Sequence, residues 1–365
     1  MTTLSAHRRA RLSNIIAAQA AAVIPDIKLE ITELRQFPVR EPASGRAYSI
    51  VRVRTRGGLT GFGEGPTVAE SQFARTQQYW TGKAASSYMT SGAPLALSGA
   101  VDMALLDIIG RASNAPVYRV LGGPTRNKVR ALTTASLSLA AAAGFRAIVV
   151  AAPKPAARNQ GQAYERDLRQ LLEPVRAAGA QIDFVLDGDG QLTPGDAANV
   201  AMTLEPMHPL WFDDPIAVLN AQTIRKIADE SVVPLGFGRG ITNPSIYQEL
   251  LRESLIDILR PDISREGISR CRRIAALAEP YYVAVAPRHD GGPVATAAAL
   301  HLAASLPNFF IQHIPLPESD EDVKMRTELV GATIERVHDG FASLPTGPGL
   351  GINVNEAALE KYHAA

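Results

Sequence analysis

From Lys128 to His313 the chain repeats one pattern, and that repetition limits the folds open to it. Short apolar, β-branched runs recur near residues 145, 183, 210, 234, 257, 282 and 308, roughly 25 residues apart. An earlier run, VRALTTAS, makes eight. The segments between them carry helix signals. Thr193-Pro194 followed by Asp196 reads as an N-cap, a first-turn proline and a third-position acid. Runs that are apolar throughout suit a parallel sheet buried on both faces. Strand–helix alternation of this kind predicts an α/β chain folded as a modified TIM barrel. One irregular edge is expected, because LSLAAAAG after the first strand is short for a barrel helix.

Three of the runs end in charge. IDFVLDGDG carries Asp187 and Asp189, LWFDDP carries Asp213 and Asp214, and VPLGFGRG carries Arg239. A parallel barrel presents its site at the C-terminal ends of its strands. Carboxylates beside apolar runs need partners, because burying an unpaired charge is costly. These strand ends are therefore expected to converge on a pocket.

The first 125 residues read differently. IKLEITELRQFPV alternates, EPASGR is a turn, and YSIVRVRT alternates again up to Gly57-Gly58, a hairpin pattern closed by LTGFGEG. Residues 67–125 read as helical, with Val101, Ala104, Leu105 and Ile108 on one face. Asn114 ends that helix, and Pro116 opens a short one ending at Leu121. The expected organisation is an extension (1–26), an α+β capping domain (27–125), a barrel (126–320) and a C-terminal segment returning to the capping domain (321–365). Residues 1–26 are basic and then Ala-rich, which predicts an arm packing on a neighbouring subunit or domain. Arg8-Arg9 ahead of a short apolar stretch leaves export as the alternative to a cytoplasmic protein. A net charge of +1 argues against nucleic acid or an anionic membrane as a bulk partner. One cysteine, Cys271, allows no intrachain disulfide and no Cys-based metal cluster.

GLTGFGEG, ALSGAVDMALLDIIGRASNAPVYRVLGG, DFVLDGDGQLTP, WFDDP, DILRPDISREGI, VAPRHDGGP, ALHLAASLPNFFIQH and GPGLGINV together resemble the enolase superfamily, in its mandelate racemase, muconate lactonizing enzyme and sugar-acid dehydratase branch. The resemblance spans residues 27–362. It implies an α+β capping domain over a (β/α)7β-like barrel. It also implies Mg²⁺ stabilising an enediolate after a base removes the proton α to a carboxylate. That proton is very weakly acidic, so positive charge must meet the developing dianion and a base must sit beside the carbon.

The family's ligand and base positions can be followed along this chain. Asp187 matches the first metal carboxylate. Asp213 matches the second, one methylene shorter than the usual Glu. The third is replaced by Arg239, a cation in a ligand position, expected to form an ion-pair cluster with Asp187 and Asp213 and to supply charge in place of the metal. The lysines of the second strand are absent, since Val149 and Ala151 stand there. Lys154, three residues on, is the candidate to reach inward. The usual His of the seventh strand is Arg288, with His289 next to it. Asp262, its expected partner, is retained and should pair with Arg288. Because strand residues alternate faces, a shift of one points His289 away unless the loop past the strand turns it back. His313 stands where the eighth strand usually has Glu. Asp189 and Asp214 are candidate hydrogen-bond acceptors for substrate.

The expected function is an atypical lyase or isomerase acting on a small carboxylic or sugar acid, with His289 or His313 moving protons and Arg239 and Arg288 binding the anion. Its cofactor is none or a weakly bound Mg²⁺, and the assembly a homo-oligomer. The alternative is a non-catalytic protein that holds an anionic ligand on the same scaffold.

Overall fold

The structure, a computed structural model, describes residues 27–88, 96–156, 161–217, 219–241 and 243–364. The extension at 1–26 lies outside the described residues. The alternating runs near the start form β1 (Ile31–Arg40), β2 (Ala47–Thr55) and β3 (Thr60–Gly65), an antiparallel sheet in that order. Arg40 pairs with Ala47, so residues 41–46 make the turn that EPASGR predicts. Three helices follow: α1 (Glu70–Trp80), α2 (Ser98–Ala112) and α3 (Val117–Val120). Helix α2 lies directly on β3. A Cβ at Gly63 would sit 1.8 Å from the Ala100 carbonyl oxygen, so only glycine allows that approach.

The barrel strands are β4 (Lys128–Leu132), β5 (Ala147–Ala151), β6 (Asp183–Asp187), β7 (Phe212–Asp213), β8 (Leu235–Phe237), β9 (Ile258–Leu259), β10 (Ala284–Val285) and β11 (Gln312–His313). Strands β5 to β10 pair in sequence, all parallel, and β11 pairs with β4. Parallel bridges Thr133–Ile148 and Val285–Phe309 close the ring. Each of the first seven strands is followed by a helix: α4 (Leu137–Ala142), α5 (Gln162–Ala178), α6 (Pro194–Leu204), α7 (Ala221–Ala228), α8 (Pro244–Arg252), α9 (Ile263–Ala278) and α10 (Pro293–Ser305). Helix α4 has only six residues, the irregular edge that LSLAAAAG predicts. Side chains launch several of the others. Thr193, Asn220, Asn243 and Asp262 each accept a first-turn N–H of α6, α7, α8 and α9, and caps of this type contribute about 1 kcal/mol each.

Inside the ring, Leu132, Val149, Val185, Trp211, Ile258, Ala286 and Ile311 pack together. This plug fills the interior of the ring. Helix α2 joins the capping sheet to α9, where the buried Asp102 accepts the Ser269 N–H at 2.9 Å. After His313 come α11 (Asp320–Val330), β12 (Val337–His338), β13 (Phe341–Ser343) and α12 (Glu356–Lys361). Strand β13 adds antiparallel to β4, a pairing that three residues are too few to announce by periodicity. The Gly-rich loop then meets α2, with Leu350 N–H donating to Asp107 at 2.8 Å. Glu356 pairs with Arg52 and Arg54 of β2. Among the described residues no helix is long and apolar enough to cross a membrane.

Candidate active site

Parallel register sets the layer at the barrel mouth. Ala151, Asp187, Asp213 and Gly236 are successive partners across β5 to β8, so their side chains lie at one level. Asp187 accepts from Arg239 Nη2 with Oδ2 at 2.6 Å and from the Asp189 N–H with Oδ1 at 2.9 Å. Arg239 Nη1 also pairs with Asp189. Among the described residues the Nε of Arg239 makes no hydrogen bond, and it lies 3.9 Å from Asp214 Oδ2. Asp214 instead caps the backbone, accepting the Gly238 and Arg239 N–H groups at 3.1 Å each. Burial, followed by the charge of Asp213, pushes the Asp214 carboxyl up to about 7.

Asp213 does not join Arg239 as expected. It is 1% exposed and receives Arg260 Nε on both oxygens, at 3.1 and 3.2 Å, with Trp211 Nε1 at 2.9 Å. The reason is how closely β8 and β9 approach at their ends. A Cβ on Gly238 would fall 1.9 Å from the Arg260 carbonyl oxygen, so the start of Arg260 is pressed into the ring beside Asp213. Arg239 lies past the strand end and reaches the β6 side instead. Arg260 also donates to the Ala286 carbonyl at 3.0 Å and stacks over Trp211, 5.0 Å from the ring centre. Sequence reasoning passed over Arg260. The available signal was its place directly after the apolar run DIL, the same position class as the other site charges.

Two more expectations are corrected. Arg288 pairs with Asp290 at 2.5 Å, while Asp262 spends its Oδ1 on the Ser264 N–H at 2.9 Å as the cap of α9. Asp262 and Arg288 meet through their backbones, where the two strand ends bridge. Burial raises the Asp262 carboxyl, and the nearby Arg288 charge opposes that rise. Lys154 is exposed on the loop after β5 and stands outside this ion-pair network.

His289 and His313 do come together. Strand β10 ends at Val285, so His289 belongs to a loop, and the loop turns its ring back into the protein. The two imidazoles are 6.4 Å apart, His289 fully buried and His313 3% exposed. His289 Nε2 is 3.5 Å from Thr296 Oγ1. Among the described residues, its Nδ1 and both nitrogens of His313 have no hydrogen-bond partner. Burial first, then the neighbouring His313, holds His289 well below the ordinary imidazole range. Burial likewise lowers His313 to about 3, against the opposing charge of Asp290. Both rings are therefore neutral near pH 7. Arg46, from the turn between β1 and β2, is near enough to both to disfavour their charged forms.

The carboxylates at this mouth do not suit the divalent cation that the resemblance implies. A hard cation such as Mg²⁺ needs oxygen ligands free to approach to ~2.0–2.1 Å. Asp187 is engaged by Arg239, and both oxygens of Asp213 are engaged by Arg260. Among the described residues no three His, Cys, Asp or Glu side chains are grouped to hold a metal ion. Two guanidinium groups bring fixed positive charge to this mouth.

Residues 132–358 match the model of the family described as "Enolase C-terminal domain-like". A protein of Streptomyces bingchenggensis named "D-galactonate dehydratase family member" is 30% identical, over 87% of this chain and 90% of that protein. A D-galactonate dehydratase of Variovorax paradoxus is 26% identical, over 91% of this chain and 94% of its own. Among solved structures, a mandelate racemase/muconate lactonizing enzyme from Jannaschia superposes with a TM-score of 0.79 at 26% identity, covering 92% of this chain and 98% of that one. A mandelate racemase/muconate lactonizing enzyme-like protein from Roseovarius gives 0.81 at 25% identity, covering 92% and 96%.

Proposed function

Because the chain belongs to the enolase superfamily, in its mandelate racemase/muconate lactonizing enzyme branch, we propose that it is a dehydratase-type lyase or racemase-type isomerase of a small carboxylic or sugar acid, working without a magnesium site. The observation that carries this reading is the buried pair His289 and His313, three of whose four ring nitrogens have no hydrogen-bond partner among the described residues. Buried polar atoms are nearly always satisfied, so orphans gathered at a barrel mouth point to a ligand.

The chemistry follows from charge. A neutral imidazole takes the proton from the carbon next to the substrate carboxylate, and the electron pair left behind delocalises into an enediolate. Arg288 stands at the same strand ends, with Arg239 and Arg260 across the mouth, so fixed cations face the developing negative charge. The imidazolium then has two outlets. Handing its proton to a hydroxyl on the adjacent carbon releases water, which is dehydration. Returning it to the other face by way of the second imidazole inverts the centre, which is racemisation. The names of the relatives favour an aldonic acid and dehydration.

The test is hydrogen–deuterium exchange at the α-carbon in D₂O, followed by proton NMR over a panel of aldonic acids that includes D-galactonate, with and without EDTA. Exchange that survives EDTA and is lost in both His289→Asn and His313→Asn is expected. Exchange that needs added Mg²⁺ would overturn the metal-free part. Saturable binding with no exchange for any acid would favour a binding protein.

A further inference from the structure

The loop that carries His289 is held from the other side of the molecule. Glu64, at the end of β3 in the capping sheet, is fully buried. Its Oε1 accepts the Gly292 N–H, and its Oε2 accepts the N–H groups of Val294 and Ala295 at 3.1 and 3.2 Å. These are first-turn donors of α10, whose own N-cap residue, Gly292, offers no side chain to satisfy them. The other end of the same peptide is also gripped. The Gly292 carbonyl accepts from Thr296 Oγ1 at 3.0 Å, and that hydroxyl is the neighbour of His289 Nε2. A continuous path of polar contacts therefore runs from Glu64 through Gly292 and Thr296 to the imidazole.

Packing enforces the same geometry. A Cβ on Gly291 would fall 2.0 Å from Glu64 Oε1, and one on Gly292 would fall 2.4 Å from the Tyr48 ring carbon Cζ. Two residues of the capping sheet thus press on two consecutive glycines, three residues or fewer from His289. We propose that Glu64 is a positioning residue for His289, holding the 288–292 loop and the first turn of α10 where the ring faces His313. This rests on the reading of His289 as a proton-moving group. It differs from a plain cap, since the capping residue comes from the opposite sheet and its path ends on a site side chain. The groups around Glu64 are Tyr48 of β2 and Arg326 of α11, besides the three backbone N–H groups.

Covalent labelling of histidines by diethyl pyrocarbonate, read by peptide mass spectrometry on the full chain, tests this without substrate. In the unaltered protein His289, fully buried, should be protected. In Glu64→Gln and in Gly292→Ala it should label roughly tenfold faster or more, through local opening of the loop. His301, fully buried further along α10, should stay protected in both, which separates loosening from unfolding. Glu64→Asp, which keeps the carboxylate, should restore part of the protection. NMR of histidine-labelled protein should show the His289 titration moving up toward the ordinary imidazole range in Glu64→Gln. Gly292→Ala displaces the loop without touching the acid, so it decides the matter if Glu64→Gln fails to fold. Folded variants in which His289 remains as protected as before would overturn the proposal. Loss of α-proton exchange has a separate meaning: if the unaltered protein shows none, the catalytic reading fails while the labelling result still stands.

Discussion

The two halves of the barrel mouth are built on opposite terms. Over β6 to β9 every charge has a partner: Asp187 and Asp189 with Arg239, Asp213 with Arg260, Asp214 with backbone N–H groups. Over β10 and β11 two histidines sit side by side with three ring nitrogens unsatisfied. The charge-paired half offers a ligand little beyond its field and the Arg239 Nε, which makes no hydrogen bond among the described residues. An unsatisfied half has desolvated its polar atoms without compensation, at ~1–3 kcal/mol for each orphan. Such a cost persists in a fold when something outside the chain completes the contact. On the proposed reading the difference divides the labour, with fixed charge on one side and proton transfer on the other.

The sharpest way to break this division is at the histidines. His289→Asn and His313→Asn should each lower α-proton exchange by roughly 10²- to 10⁴-fold, the usual worth of a general acid–base group, while leaving the melting temperature near its starting value. Exchange that persists in both variants would move the chemistry to the other half.

Next comes Asp213. Its partner Arg260 is 3% exposed, so Asp213→Asn strands a buried guanidinium and should destabilise the fold by about 3–5 kcal/mol in urea unfolding. A small effect would mean that Asp213 is kept for catalysis rather than for its ion pair.

A third test uses pH. His313 is held at about 3 in the folded chain and titrates near the ordinary imidazole value once unfolded. Its folded value is depressed, so the unfolded chain binds the extra proton between those limits. Stability from this group is full above about pH 6.5 and falls as pH drops toward 3, by at most ~1.4 kcal/mol per pH unit. His313→Asn should therefore lose stability less steeply than the unaltered chain between pH 6.5 and 4. Buried acids with raised values, Asp214 and Glu64 among them, act in the opposite sense, gaining stability as pH falls. The difference between variant and parent isolates the histidine.

The smallest effects belong to the partly exposed pair. Asp187→Ala should cost about 0–1 kcal/mol, since Arg239 is about a third exposed and keeps Asp189. Added Mg²⁺ should not raise the melting temperature of the unaltered protein. Arg239→Glu, which swaps the cation for a ligand, should make that temperature respond to Mg²⁺. A response in the unaltered protein would show that the saturated half opens.

Much of this was legible in the chain. The roughly 25-residue rhythm announced the ring. The charges after DFVLD and GFG announced its mouth, and Asp187 does meet Arg239. The partners of Asp213 and Arg288 were misjudged for a shared reason. Each arginine could reach more than one carboxylate in sequence terms, and the choice depends on ångström-scale spacing between strand ends. Lys154, expected to reach inward toward a substrate, is left exposed by its loop.

By itself the sequence determined the class of fold, because apolar period and helix caps are local properties that each segment declares without its neighbours. It also placed Asp187, Asp213 and Arg239 at the strand ends, though not Arg260. The tertiary structure alone decided which carboxylate each arginine neutralises, that the His289 loop turns inward, and that Glu64 holds that loop from the capping sheet. Those contacts join residues as far as 231 positions apart. They follow from register and close packing, which exist only once the ring is closed and the capping sheet is in place.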